Sequence, residues 1–142
     1  MSTLVNEVVG INVIGGVEAT SEGMMPTLYG STPYKRISTG TDNVVIKNSA
    51  GIVRCVNASN INASPRYVKL YDKATAPDPS QDTPIAVLLI PGATTGGLNV
   101  LACGPKGLEC TVGIAINIVT TSPDNGATGV AAGDVIVNVI YD

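Results

Sequence analysis

Nowhere in this 142-residue chain do apolar side chains keep a 3.6-residue spacing for more than about two turns. What recurs is a period of two, in short runs cut by Gly, Pro or Asn. Strand side chains alternate between two faces, so each run reads as a short strand. The runs are NVVIKN (43–48), IVRCVNAS (52–59), RYVKLYD (66–72), PIAVLLIP (84–91), GLNVLA (97–102), GLECTV (107–112), GIAINIVT (113–120) and DVIVNVIY (134–141). Seven to nine strands at this spacing and essentially no helix imply an all-β sandwich, jelly-roll-like in topology.

Local chemistry sharpens the expectation. The Ser49-Ala50-Gly51 loop predicts that 43–48 and 52–59 form a hairpin, with Gly51 free to take a positive φ. In 66–72, Val68 and Leu70 share one face, while Tyr67, Lys69 and Tyr71 share the other. The nearly continuous apolar run at 84–91, bracketed by prolines, predicts a strand covered on both faces. GIAINIVT sets Ile114, Ile116 and Ile118 on one face and Asn117 on the other. The short amides of NASNINAS suit a turn, as does Asp124-Asn125-Gly126. Residues 1–34 break every few positions at Gly or Pro and read as an extended N-terminal arm, with Val8–Ile14 its best strand. Residues 35–142 then form the sandwich domain.

Such a core has to be aliphatic. Hydrophobic residues make up 44% of the chain but aromatic ones only 4%, with no Phe or Trp, so Val, Ile, Leu and Ala must fill it. Charged residues are 13%, about half the usual share, leaving a surface of Thr, Ser, Asn and Gly.

The charges are unevenly spread. Residues 1–34 carry Glu7, Glu18 and Glu22 and no cation; 35–73 carry a net +5; 74–142 carry a net −5. The two halves can neutralise each other inside one fold or between subunits. The second case would favour a closed homo-oligomer, with a trimer the expected form. A net charge of −3 and a pI near 4.7 argue against a nucleic-acid partner. No apolar stretch reaches the length of a membrane span, and MSTLVNEVVG lacks the basic start of a signal peptide. The expectation is a soluble protein made in a cytoplasm, with Cys55, Cys103 and Cys110 reduced and Cys55 in the core.

Chemistry-bearing constellations are scarce. Without His, neither a Ser-His-Asp nor a Cys-His arrangement can be built. Asp78 and Asp82 in APDPSQD are expected to cap their own turn. Cys103 and Cys110 lack metal-site spacing, and Asp124 and Asn125 lack the alternating acids of a calcium loop. PGATTGGLNV has no Lys-Ser/Thr pair to hold a phosphate, and no cofactor is expected. The sequons at Asn57 and Asn62 are read as coincidence.

From VIKNSAGIVRCVNASNINASPRYVKLYDKATAPDPSQDTPIAVLLIPGATTGGLNV, through GIAINIVT, to VAAGDVIVNVIY, the chain resembles small structural proteins of tailed bacteriophages and their prophages. The resemblance covers roughly residues 36–142 and carries no functional residue with it. It implies a virion component, non-enzymatic. The reading adopted is a capsid decoration (cement) protein on the head surface whose partner is the major capsid protein. A tail, neck or fibre component is the alternative, and a carbohydrate-binding sandwich the second. On this reading Tyr67, Lys69 and Tyr71 are the expected contact face, because Tyr offers large area at low rotamer entropy. The linker KATAPDPSQDTP is expected to cross between the two sheets.

Overall fold

The computed structural model describes residues 31–142, so the bulk of the expected arm, with its strand at Val8–Ile14, lies outside the described residues. Among the described residues every regular element of any length is a strand: β1 (Thr32–Ile37), β2 (Asn43–Lys47), β3 (Gly51–Asn60), β4 (Arg66–Asp72), β5 (Ala86–Ile90), β6 (Leu98–Ala102), β7 (Leu108–Cys110), β8 (Ile114–Val119) and β9 (Val135–Tyr141). A single 3₁₀ turn at Ala93–Thr95 is the one helical element among the described residues. Residue 34, the expected boundary between arm and domain, falls inside β1, whose Thr32–Tyr34 pair with Val139–Tyr141.

The strands form two antiparallel sheets that do not close into a barrel. One has the order β1-β9-β3-β6, and β7 pairs the far end of the β3 edge that β6 uses; the other has the order β2-β8-β4-β5. The pairing is nested. The first strand pairs the last, β2 pairs β8, β3 pairs β6 and β7, and β4 pairs β5, while β3–β9 and β4–β8 join these pairs into sheets.

The inner faces meet in one aliphatic core. Val53, Val56, Ala58, Val135, Val137 and Val139 from the first sheet pack against Val68, Leu70, Leu88, Ile90, Ile114, Ile116 and Ile118 from the second. Tyr34 and Leu101 on one side, and Val44 and Ile46 on the other, close its margins. Sheets stacked about 10 Å apart leave room for two layers of side chains, and Val against Ile fills that depth without an aromatic ring. Cys110 belongs to this core, whereas Cys55, expected there, is only half-buried on the outer side of β3, opposite Ala102. The reason is a bulge. Ile140 pairs Cys55 but Tyr141 pairs Val53, so Arg54 is an extra residue that shifts the alternation between Val53 and Val56.

Two connections exchange the roles expected of them. The segment 48–50 is not a hairpin turn: β2 lies in one sheet and β3 in the other. Gly51 makes this corner passable, since a Cβ there would stand 2.5 Å from the Asp142 carbonyl oxygen. Ile52 and Asp142 then exchange both backbone hydrogen bonds. Conversely, KATAPDPSQDTP does not cross between sheets, because β4 and β5 are neighbours in the same one. The Asp82 carboxylate draws its ends together by accepting from Lys73 Nζ and from the Asp78 N–H, the latter at 2.6 Å. β5 is also an edge strand rather than a strand covered on both faces. Its outward Val87 and Leu89 are more than 40% exposed, and prolines at its two ends fit an edge.

Core and surface should respond differently to truncation. Ile116→Ala is expected to lower the unfolding free energy by about 2–5 kcal/mol, as for other cavity-forming changes, and Val100→Ala to change it by about 0.5 kcal/mol or less. Equilibrium denaturation of the two variants checks this, and equal effects would mean that the face assignment is wrong.

Candidate contact surface and the buried Lys69

Tyr67, Lys69 and Tyr71 do share the outer face of β4, but they are not a free surface. Lys69 is 0% exposed and Tyr71 1%; Tyr67 alone is half-buried. The segment following β8 accounts for Lys69. It leaves the sheet at Thr120, turns at Pro123–Gly126 through a 2.8 Å hydrogen bond, and returns where Val119 bridges Gly129. The Lys69 ammonium donates to the carbonyls of Pro123, Asp124 (3.3 Å) and Gly126 (3.0 Å), which uses all three of its protons. Burial pushes the Lys69 pKa down, and the nearby Asp124 charge opposes that push.

Around this ammonium lie poorly satisfied polar atoms: Thr121 Oγ1 has no partner, and the Tyr71 hydroxyl and the Asn117 amide nitrogen have only each other, without a well-formed hydrogen bond. Asn117 is opposite Lys69 in the β4–β8 register and is 2% exposed. Burial raises the Tyr71 pKa, with Asn117 opposing. The face singled out from sequence is therefore a polar seat beneath a loop, and a substitution of Lys69 acts on stability rather than on an open contact.

The remaining carboxylates hold corners together. Asp42, its side chain fully buried, accepts from Arg36 Nε (2.8 Å) and from the Thr39 backbone at the β1–β2 connection. Asp78 accepts from Ser80, and Asp82 from Asp78, so both acids cap their own loop as expected. Asp72 reaches across to the 111–113 corner and accepts from Thr111 N and Oγ1, Val112 N and Gly113 N. Partial desolvation raises its pKa, but the donors of Val112, Gly113 and Thr111 outweigh it and hold the carboxyl at about 2. In the NASNINAS turn, Asn60 Oδ1 accepts from Asn62 N and Asn62 Oδ1 from Ser64 N, two successive amide turns of the expected kind. Among the described residues no group of three or more Cys, Asp or Glu converges as metal ligands would. Burial raises the Cys103 thiol and pushes Cys110 up to about 11, so neither is a ready nucleophile.

The charge split resolves inside the chain. Of the four ion pairs among the described residues, Arg54–Asp142, Arg66–Asp134 and Lys73–Asp82 each join the cationic stretch 35–73 to the acidic stretch 74–142. The fourth, Arg36–Asp42, is local. All eight cations and eight of the eleven acids lie in residues 31–142, so the domain is formally neutral and the excess belongs to Glu7, Glu18 and Glu22. Three of the seven cations of 35–73 are thus paired with the acidic stretch inside the chain, which leaves less charge to be matched between subunits.

What the surface offers instead is apolar. On the outer face of the five-stranded sheet, Ile37, Ile136, Ser59 and Leu98 stand in one row across four strands, and the adjacent row is Lys35, Asn138, Asn57 and Val100. A 3.0 Å hydrogen bond from Asn138 to Asn57 confirms that these share a face. Leu98 and Val100 are more than half exposed. At the neighbouring edge Asn99 Nδ2 donates to the Leu89 carbonyl (2.7 Å), and there the outer side of the other sheet exposes Val87 and Leu89 on β5, with Ile85 just before it. The signal for this exposure on each sheet is in the sequence: LNVLA and AVLLI carry apolar residues on both parities, so an edge strand built from either must expose some.

No protein-family model matches the chain, and no curated protein is significantly similar to it.

Two outcomes follow. Lys69→Glu should cost about 3–5 kcal/mol, as uncompensated buried charges do, read as a fall in the denaturation midpoint. The folded pKa of Asp72 lies below the ordinary carboxylate value of 3.8, so its contribution is complete above that value and disappears as pH falls through about 2. Asp72→Asn should therefore be less stable than the parent at pH 6 and converge with it near pH 2. A constant gap across that range would contradict the assignment.

Proposed function

We propose that this protein is a structural component of a tailed-bacteriophage virion, a capsid decoration (cement) protein that binds the assembled head shell through the outer face of its five-stranded sheet. The observation that carries the reading is the exposed apolar band of Leu98 and Val100, with Ile37 and Ile136, on that face of a domain of zero formal net charge. A formally neutral surface bearing such a band favours association over colloidal repulsion. The likeness of residues 36–142 to phage structural proteins supplies the class of assembly, and the major capsid protein is the partner it implies.

The fold supports the same reading at a finer level. The orders β1-β9-β3-β6 and β2-β8-β4-β5, with nested pairing, support interpreting the two sheets as a jelly roll, an architecture of viral capsid and lectin domains. The lectin branch is the weaker one: Tyr34, Tyr67 and Tyr141 are half-buried and Tyr71 is buried, so among the described residues no tyrosine lies open for sugar stacking. A tail, neck or fibre position would use the same band, and abundance separates it from the shell.

Quantifying the protein against the major capsid protein in purified particles tests the location, with hundreds of copies expected for a decoration protein and few for a tail part. Binding to shells lacking the protein tests the surface. Leu98→Asp with Val100→Asp should reduce occupancy at least roughly tenfold, the effect of losing 1.4 kcal/mol or more of contact, while the melting temperature stays near that of the parent. Normal occupancy by this variant would remove the band as the contact surface.

A further inference from the structure

We propose that residues 120–129 form a lid, fastened by Lys69, that is closed in this structure and opens locally over the outer face of the four-stranded sheet without unfolding the sandwich. The inference is independent of any role in a virion.

The lid buries no large apolar side chain. Every residue from Thr120 to Gly129 is exposed or half-buried, and the first fully buried side chain beyond it is Val130. Segments that stay closed without apolar burial sit at the low end of the local stability range. Its two feet are joined by the Val119–Gly129 bridge and by the 2.9 Å bond from Thr120 N to the Thr128 carbonyl. Between the feet, the hydrogen bonds that tie it to the sheet are those from the Lys69 ammonium to Pro123, Asp124 and Gly126.

The closed state is also incompletely satisfied. Tyr71 and Asn117, almost wholly buried, have only each other, without a well-formed hydrogen bond, and Thr121 Oγ1 on the lid has no partner. Opening would hydrate all three and the three carbonyls, which offsets much of the cost of releasing the ammonium. The charged and titratable groups around Lys69 are Asp124 on the lid, Tyr71 on its own strand, and Asp82, on the 73–85 connection, whose charge reaches Tyr71. Gly126 limits how the lid can be altered, because a Cβ there would collide with Thr121 Oγ1. In the open state Lys69, Tyr71 and Asn117 become a polar, aromatic face, which is concealed while the lid is shut.

Native-state hydrogen exchange on the whole chain decides the matter. In the parent protein the amides of Thr120 and Gly126 should exchange at least roughly tenfold faster than those of Val137 and Val139, with little dependence on sub-denaturing urea, as local opening requires. Lys69→Met, which keeps the length of the side chain and removes the charge, should speed lid exchange by a further factor of about ten while the β9 amides change no more than global stability dictates. Amine-reactive labelling gives a second readout: Lys69 should react more slowly than Lys35 or Lys106, yet faster than global unfolding permits. Lid amides that exchange only together with β9 in the parent, or a folded Lys69→Met protein with unchanged lid exchange, would overturn the proposal. If that variant does not fold, the measurements on the parent stand alone as the test.

Discussion

Everything in this domain depends on filling the gap between two sheets with aliphatic side chains alone. In the absence of Phe and Trp no single residue spans the core, so each inward position must meet a partner from the opposite sheet. Val135, Val137 and Val139 on β9 and Ile114, Ile116 and Ile118 on β8 form the two central ranks, and both strands lie inside their sheets. β-branched side chains lose little rotamer freedom on a pleated surface, which makes such a core well defined as well as dense. The nested pairing follows from the same demand, since it places β8 and β9, the two most regular apolar strands, between neighbours on both sides.

That arrangement leaves the four-stranded sheet with an inward face already complete and an outward face that still carries Ala115, Asn117 and Val119, all buried. Among the described residues the 120–129 connection is the segment that begins where β8 ends. Lys69 then becomes a consequence of topology. It sits on the same outward face, opposite Asn117, and cannot reach water past the covering segment. Leaving an ammonium buried and unpaired costs several kcal/mol; three carbonyls of one loop reduce that cost and at the same time fix where the loop lies. A long cation in the middle of a strand thus does the work that apolar side chains on the loop would otherwise do.

How much of this was legible in the sequence can be seen residue by residue. Alternation identified nearly every strand and gave the inward sets Val68/Leu70 and Ile114/Ile116/Ile118 correctly, because period two is a local property. It could not say which strands are neighbours. A corner between sheets and a hairpin turn both reverse the chain and both keep the apolar parity inward, so Ser49-Ala50-Gly51 looks the same in either case. What distinguishes them is the approach of Gly51 to Asp142, more than 90 residues away in sequence. The exchange between KATAPDPSQDTP and the 48–50 corner has this single cause. Lys69 and Tyr71 were misjudged as surface for a related reason: parity tells which side of a sheet a residue faces, not whether a distant loop lies on that side. Cys55 was misplaced by the bulge at Arg54, a one-residue shift that no composition signal marks.

Internal neutralisation has a consequence for the role proposed here. Arg54, Arg66 and Lys73 spend their charge on Asp142, Asp134 and Asp82, which hold strand ends and loops of the same chain. A formally neutral domain exerts little field beyond a Debye length of about 10 Å at 0.1 M salt, so its encounter with a shell gains no steering from it. Association through Leu98 and Val100 would proceed at the unsteered rates of about 10⁵–10⁶ M⁻¹s⁻¹, and residence time, set by apolar contact, would carry the affinity. The only net charge left is the acidic set Glu7, Glu18 and Glu22 outside the domain. Salt therefore discriminates between the two parts of the chain. Raising ionic strength should leave attachment through the apolar part of the sheet face nearly unchanged, so a loss of shell occupancy at high salt points to the first 30 residues or to Lys35, the exposed cation in the row of Val100.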